Sequence, residues 1–392
     1  MKAIRHFLTL FILGAASSLN AQISFLNLAH TNNGGTAQGI IVAGNYAYLA
    51  SGTNGLLIYD ISNPAQPIKA GNPHGTNDTG INATSLAISG NYVYLATPNL
   101  SPHSFCVYDV SNPSAPTNVF TTNLNLSGGG GMAVLGSNLY LGGDGFIAVM
   151  NISTPATPTL VTQYRPSSLG NPLSAAVSSN YLALASGANQ LMNIGVFSNQ
   201  VYTNFVATNV AGTASGVALS GQFVFVANGS SSPLESYLIS PSGAVSRAGQ
   251  ITYPASPTIG HGVALAGNYA YLACSAGLRA IDVTDPANLK AVGQTSTNYG
   301  GTGLGVAVSG RYVYLANGTD GLRVFAIQPQ LTVSNAPGNL LTFSWPDQGP
   351  FTLQQTADIG NPSWVTLTNI AVNGQLTLPP PASNMFYRLV GQ

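Results

Sequence analysis

Gly44-Asn45-Tyr46-Ala47-Tyr48-Leu49-Ala50 returns six more times along the chain, and its spacing decides the fold. The copies are Gly90-Asn91-Tyr92-Val93-Tyr94-Leu95-Ala96, Gly136-Ser137-Asn138-Leu139-Tyr140-Leu141-Gly142 and Ser179-Asn180-Tyr181-Leu182-Ala183-Leu184-Ala185. Then come Gly221-Gln222-Phe223-Val224-Phe225-Val226-Ala227, Gly267-Asn268-Tyr269-Ala270-Tyr271-Leu272-Ala273 and Gly310-Arg311-Tyr312-Val313-Tyr314-Leu315-Ala316. The steps between them are 46, 46, 43, 42, 46 and 43 residues. A unit of about 40–45 residues holding several short strands is the signature of a β-propeller blade.

One unit, residues 39–71, reads as four antiparallel strands: Gly39 to Ala43, Tyr46 to Ala50, Leu56 to Ile61 and Ile68 to Gly71. Gly44-Asn45 makes the first turn, because both residues tolerate positive φ. Ser62-Asn63-Pro64-Ala65-Gln66-Pro67 makes the last. In the second strand Tyr46 and Tyr48 point one way, Ala47 and Leu49 the other. Both faces are apolar, so each unit needs a neighbour on either side. Core packing is therefore the reading for the tyrosine stripe, rather than a platform for sugars. Five residues before each turn stand Gly39, Ser85, Gly131, Ser174, Gly216, Gly262 and Gly305. Small residues there let innermost strands converge on an axis.

The turn after the third strand recurs as Asp60-Ile61-Ser62-Asn63-Pro64, Asp109-Val110-Ser111-Asn112-Pro113, Asn151-Ile152-Ser153-Thr154-Pro155 and Asp282-Val283-Thr284-Asp285-Pro286. One carboxylate per unit suits a turn acceptor better than a metal ligand. Together, Gly-Asn-Tyr-Ala-Tyr-Leu-Ala and Gly-Leu-Leu-Ile-Tyr-Asp-Ile-Ser-Asn-Pro resemble the LVIVD repeat of secreted and surface β-propellers, over about residues 23–328. The first, second and sixth copies fit best; the fourth and fifth lack the Asp-x-Ser-x-Pro turn. The resemblance implies a propeller and brings no defined activity with it.

The seventh unit lacks its own outer strand. Ile23-Ser24-Phe25-Leu26-Asn27-Leu28 has the length and pattern to replace it, pairing with Leu322 to Ile327 and closing the ring. Beyond Gln328-Pro329 the pattern changes to short strands with Pro, Gly and Asn between them, as expected of a small fibronectin III-like β-sandwich. Its Leu353-Gln354-Gln355-Thr356, Pro362-Ser363-Trp364 and Met385-Phe386-Tyr387-Arg388-Leu389 resemble a C-terminal module of exported bacterial proteins, which implies display, sorting or adhesion. Trp345 and Trp364 read as core residues. The expected layout is a signal peptide at 1–21, a seven-bladed propeller at 22–328 and a sandwich at 329–392.

Lys2 and Arg5, the apolar run from Phe7 to Ala16, and Ala21 before Gln22 make the signal peptide. That run is too short to span a bilayer, and no later segment is long and apolar enough. The expected destination is the periplasm, the cell surface or the medium. The chain has 10 Lys and Arg against 10 Asp and Glu, so no basic face for nucleic acid can be assembled. Cys106 and Cys274 fall in distant units and are expected to stay unbridged and buried.

Long loops rich in Gly, Ser, Asn and Pro lead into the innermost strands: residues 74–84, 122–130, 164–173, 208–215, 253–261 and 295–304. Loops of this kind on a rigid ring are where a ligand is expected. The candidate contacts are His74, Asp78, Tyr164, Arg165, Tyr253, His261 and Tyr299. No carboxylate pair, metal-ligand spacing or Gly-x-Ser-x-Gly elbow is present, and Gly128-Gly129-Gly130-Gly131 precedes a strand and lacks the lysine of a phosphate loop. No catalytic residue, metal or cofactor is assigned. The expected function is a non-catalytic, monomeric binding or scaffold protein for a protein or glycan. The alternative is an extracellular enzyme cleaving a polysaccharide or lactone at the channel mouth.

Overall fold

The computed structural model describes residues 23–391 except 33, 73–81, 99–103, 125, 127–129, 168, 188–189, 199–200, 230–231, 253–257, 330, 339, 346–350, 358–362, 368–374, 380 and 382–384. The signal peptide expected at residues 1–21 therefore lies outside the described residues. No described helix is long and apolar enough to cross a membrane. The chain divides into two compact units. One comprises residues 27–291 and 295–326; the other comprises residues 327–392 together with the first 26 residues and 292–294.

The described residues form seven four-stranded sheets. In the first, Gly39–Ala43, Tyr46–Ala50, Leu56–Asp60 and Ile68–Gly71 pair in chain order, within a residue of the expected bounds. Their register is antiparallel, with Gly39 opposite Ala50 and Ala50 opposite Leu56. The innermost strands are Gly39–Ala43, Ser85–Ser89, Met132–Leu135, Ser174–Val177, Ala214–Ser220, Gly260–Ala266 and Gly305–Ser309. Each neighbours the next in that order, and the last neighbours the first. The fold is a propeller.

Ile23–Thr31 lies beside Leu322–Pro329, at the edge of the sheet that also holds Gly305–Ser309 and Tyr312–Ala316. Ser24 Oγ donates to Gln328 O at 3.3 Å. The first strand of the chain thus completes the last sheet. A strand that joins the two ends of a ring covers two edges that would otherwise stand unpaired.

The sheets pack through the apolar faces seen in the repeated phrase. Tyr48, Leu86, Val93, Leu95, Cys106 and Tyr108 share one core between the first two sheets. Tyr94, Phe105, Leu139, Leu141 and Phe146 share the next. Tyr94, Tyr271 and Tyr314 are fully or almost fully buried, which raises their phenol pKa through loss of hydration; Tyr94 and Tyr314 are each pushed up to about 12. Cys106 and Cys274 are unbridged and buried.

The turn readings hold in detail. Gly44, Gly90, Gly136, Gly221, Gly267 and Gly310 all have φ between 53° and 58°. The fourth unit has no such glycine, and Ser178 closes its turn by donating its N–H to Tyr181 O at 2.8 Å. Asp60, Asp109, Asn151 and Asp282 each accept the backbone N–H two residues on, at 2.8–2.9 Å. They are turn acceptors.

Residues after 329 form two three-stranded sheets. One contains Thr332–Ala336, Leu340–Ser344 and Gln375–Leu378; the other contains Phe351–Thr356, Val365–Thr366 and Phe386–Gly391. Leu331, Phe343, Trp345, Leu353 and Leu376 form their common core. Trp345 is buried, whereas Trp364 is half-buried under the Arg388 guanidinium, 4.0 Å above its ring.

Candidate functional site

Antiparallel order brings four things to one end of every sheet: the start of the innermost strand, the end of the second, the start of the third and the end of the fourth. That end carries the small residues at the axis, and they touch across the sheets. A Cβ built on Gly216 would lie 2.6 Å from His261 O, and one on Gly262 would lie 2.7 Å from Leu304 O. One on Gly305 would lie 2.8 Å from Gln38 O and 3.2 Å from the Gly39 Cα, which again brings the last sheet to the first. Where serine stands instead, its hydroxyl bridges the seam: Val217 N donates to Ser174 Oγ at 3.3 Å.

A second layer of polar residues lies just outside the axis, on the third strands. The residues opposite Leu49, Leu95 and Leu141 are Leu57, Cys106 and Ala148. In the last four sheets the same place, opposite Leu184, Val226, Leu272 and Leu315, holds Asn193, Glu235, Arg279 and Arg323. All four are buried. A buried charge is tolerated only when its partners are close.

Those partners include loop groups as well as residues of the same sheets. Glu235 accepts from Ala211 N at 3.0 Å, Asn228 Nδ2 at 3.1 Å, Tyr237 Oη at 2.9 Å and Arg247 Nη1 at 3.0 Å. Arg279 Nη2 donates to Thr258 Oγ1 at 3.0 Å. Arg323 pairs with Asp320 through Nε and Nη2, reaches Tyr299 O at 3.5 Å and lies 4.3 Å from the centre of the Tyr299 ring. Ala211, Thr258 and Tyr299 belong to loops leading into the fifth, sixth and seventh innermost strands. The buried charges therefore pin three of the loops expected to carry the site.

Of the candidate contacts, His74, Asp78 and Tyr253 lie outside the described residues. Tyr164 ends the outer strand of the third sheet, half-buried against the core of Tyr140, Ile147 and Leu182. Arg165 is exposed, with its guanidinium 5.3 Å from the Phe146 ring centre. His261 sits in the irregular start of its innermost strand, between Gly260 and Gly262, and burial lowers its imidazole pKa. Tyr299 has φ 54°, a left-handed conformation that few side-chain-bearing residues adopt; its N–H donates to Thr297 Oγ1 at 3.0 Å and its ring lies against the Arg323 guanidinium. These four described residues sit on four different sheets or their leading loops. Among the described residues no three His, Cys, Asp or Glu converge as a metal site.

A cavity of about 450 Å³, foreshadowed by no motif, lies at the same end beside the first sheet. Asn32, Thr36, Gln38, Thr53, Asn82 and Thr319 line it, with Gly34, Gly35 and Gly52. Its residues come from four separate segments, each unremarkable alone. Two reciprocal backbone pairs hold those segments together. Ala37 and Gly318 exchange N–H···O bonds of 2.9 and 3.1 Å, and Gly52 and Ala83 exchange bonds of 3.0 and 2.9 Å.

Five segments match the LVIVD repeat: residues 34–73, 80–123, 211–231, 260–297 and 300–335. The first, second, sixth and seventh units are covered, and the fifth only in part. The third and fourth are not matched, although the third kept its Asn-Ile-Ser-Thr-Pro turn. No curated protein matches the chain. Among solved structures, a catalytically inactive virginiamycin B lyase from Staphylococcus aureus with quinupristin is similar with TM-score 0.56 and 14% identity, over 78% of this chain and 99% of that one. The Pan2 WD40 domain of Neurospora crassa is similar with TM-score 0.56 and 12% identity, over 78% and 94%. The WD40 propeller domain of Doa1 follows with TM-score 0.54 and 10% identity, over 78% and 97%. At these identities the likeness is one of fold.

Proposed function

For a chain that carries LVIVD repeats and folds as a propeller, we propose an exported, non-catalytic binding or scaffold role. Residues 22–328 are a seven-bladed ring, 329–392 a fibronectin III-like module, and 1–21 a signal peptide removed on export. The ligand, a protein or glycan, is taken by the loops at the channel mouth of a monomer. One observation carries this reading. Glu235, Arg279, Arg323 and Asp320, at that end of the fifth to seventh sheets, are engaged in pinning loops. Among the described residues, those loops expose mostly Asn209, Thr213, Ser296, Thr297, Asn298 and Gly300, with Tyr299 half-buried and Ala211 and Ile259 as the apolar exceptions. Such a surface recognises partners through neutral hydrogen bonds and aromatic contact rather than through charge.

A second reading draws on His261. A half-buried imidazole with a lowered pKa is neutral at pH 7 and is fit to accept a proton. It would serve an enzyme that cleaves a polysaccharide or lactone at the mouth. The test is one preparation of the mature chain, assayed on a glycan array and against candidate surface proteins. The binding role predicts saturable capture that Tyr299→Ala weakens, with the ligand recovered intact by mass spectrometry. Cleaved ligand, with turnover abolished by His261→Ala, would replace it with the second reading.

A further inference from the structure

We propose that the cavity beside the first sheet is a subsite for one unit of a neutral saccharide. This rests on the binding role above and gives it a ligand class and an address. The volume, about 450 Å³, falls among small-molecule sites, which run from about 300 to 1,000 Å³. The chemistry of the wall selects the ligand. Three amides (Asn32, Gln38, Asn82) and three hydroxyls (Thr36, Thr53, Thr319) supply both donors and acceptors. Each hydroxyl of a sugar also donates and accepts, so the wall offers it partners of both kinds.

Other ligand classes fit the wall poorly. Among the described lining residues none carries a charge, so an ionic ligand would lose its hydration with nothing opposite in sign among them to replace it. Among the same described residues none is aromatic or has a large aliphatic side chain, so an apolar ligand would find few surfaces to cover it.

The cavity is also formed in advance. The pairs Ala37–Gly318 and Gly52–Ala83 fasten its segments to the sheets on either side. A Cβ on Gly35 would lie 2.7 Å from Asn54 Nδ2 and 2.9 Å from Ser51 O, so glycine is what allows that wall to close. A site that needs no ordering on binding keeps more of its interaction energy as affinity. That matters where every contact is a neutral hydrogen bond of modest worth.

The experiment is titration calorimetry of the mature, full-length chain with cellotetraose, laminaritetraose, maltotetraose and chitotetraose, and with tetragalacturonate as the charged counterpart. At least one neutral tetrasaccharide is expected to bind saturably, with an affinity independent of salt. Tetragalacturonate is expected not to bind. Gln38→Ala and Asn82→Ala should each weaken binding by about five-fold, the loss of one neutral hydrogen bond. Thr319→Tyr tests the same cavity without touching the core, since Thr319 is exposed at its rim. It should abolish binding while leaving the melting temperature unchanged. Failure of all four neutral ligands overturns the saccharide assignment. Binding that survives Gln38→Ala, Asn82→Ala and Thr319→Tyr overturns the address. If such binding is instead lost with Tyr299→Ala, the mouth-loop role stands and only the subsite falls.

Discussion

Replacing Gly262 by alanine puts one methyl group where two sheets meet at the axis. The new Cβ would sit 2.7 Å from Leu304 O and 3.2 Å from the Gly305 Cα, and both neighbours are backbone. A flexible side chain cannot swing aside to make room, so a strand must move. Overpacking of this kind costs about 1–3 kcal/mol. Alanine also restricts the unfolded chain, which returns about 0.4–1 kcal/mol. The net expectation is a loss of about 1–2 kcal/mol, since backbone has no alternative rotamer. Gly216→Ala and Gly305→Ala face carbonyls at 2.6 and 2.8 Å and should lose similar amounts. Ser85→Ala keeps its Cβ and serves as the control. Urea unfolding followed by intrinsic fluorescence measures each midpoint and slope. Three glycine variants as stable as the parent, or more stable, would refute the close seam at the axis and the ring geometry built on it.

Removal of residues 22–29 should lower the melting temperature by several degrees, because it strips the outer strand from the sheet of Leu322–Pro329; an unchanged melt contradicts closure by that strand. Glu235→Leu should cost about 3 kcal/mol in urea unfolding, since Ala211 N–H, Asn228 and the Tyr237 hydroxyl each lose an acceptor; Arg247→Ala should also destabilise, since it leaves the fully buried Glu235 carboxylate without its ion-pair partner. Backbone N–H donors from Ser62 and Ser111 hold the Asp60 and Asp109 carboxyls below their usual value of 3.8. Each therefore adds stability above that value and loses it as pH falls through the depressed one. Melting temperatures from pH 2 to 5 should fall less steeply for Asp60→Asn with Asp109→Asn; Asn151 already makes the same bond, so the turns stay intact.

The repeated phrase made the strands legible because a blade is a local object. Its three hairpin connections and two apolar faces are written within about 30 consecutive residues, and Gly39–Ala43 through Ile68–Gly71 fell where expected. The pairing of Ile23–Thr31 with the last sheet was legible for a different reason: one unit was a strand short and one strand had no unit. The anchors Glu235, Arg279 and Arg323 were missed. In a strand such as Gly277-Leu278-Arg279-Ala280-Ile281 a lone charge reads as a solvent-facing residue, yet here it is buried under a loop from the same blade. The available signal was positional: aligned on the second strand, the same register place is polar in four consecutive units. The cavity had no local signal, because its walls meet only when the first, second and last sheets come together. Tyr299 was selected for its loop, and its stacking on Arg323 depends on a strand more than 20 residues away.

Ring closure by the first strand is tested most directly by hydrogen exchange of the mature chain, read by mass spectrometry on peptides covering residues 23–31 and 322–329. Amides of both segments should exchange together, at the slow rate of the neighbouring Tyr312–Ala316 strand, and lose protection in the same denaturant range. Rapid exchange across 23–31 while Tyr312–Ala316 stays protected would mean that the chain does not close in this way.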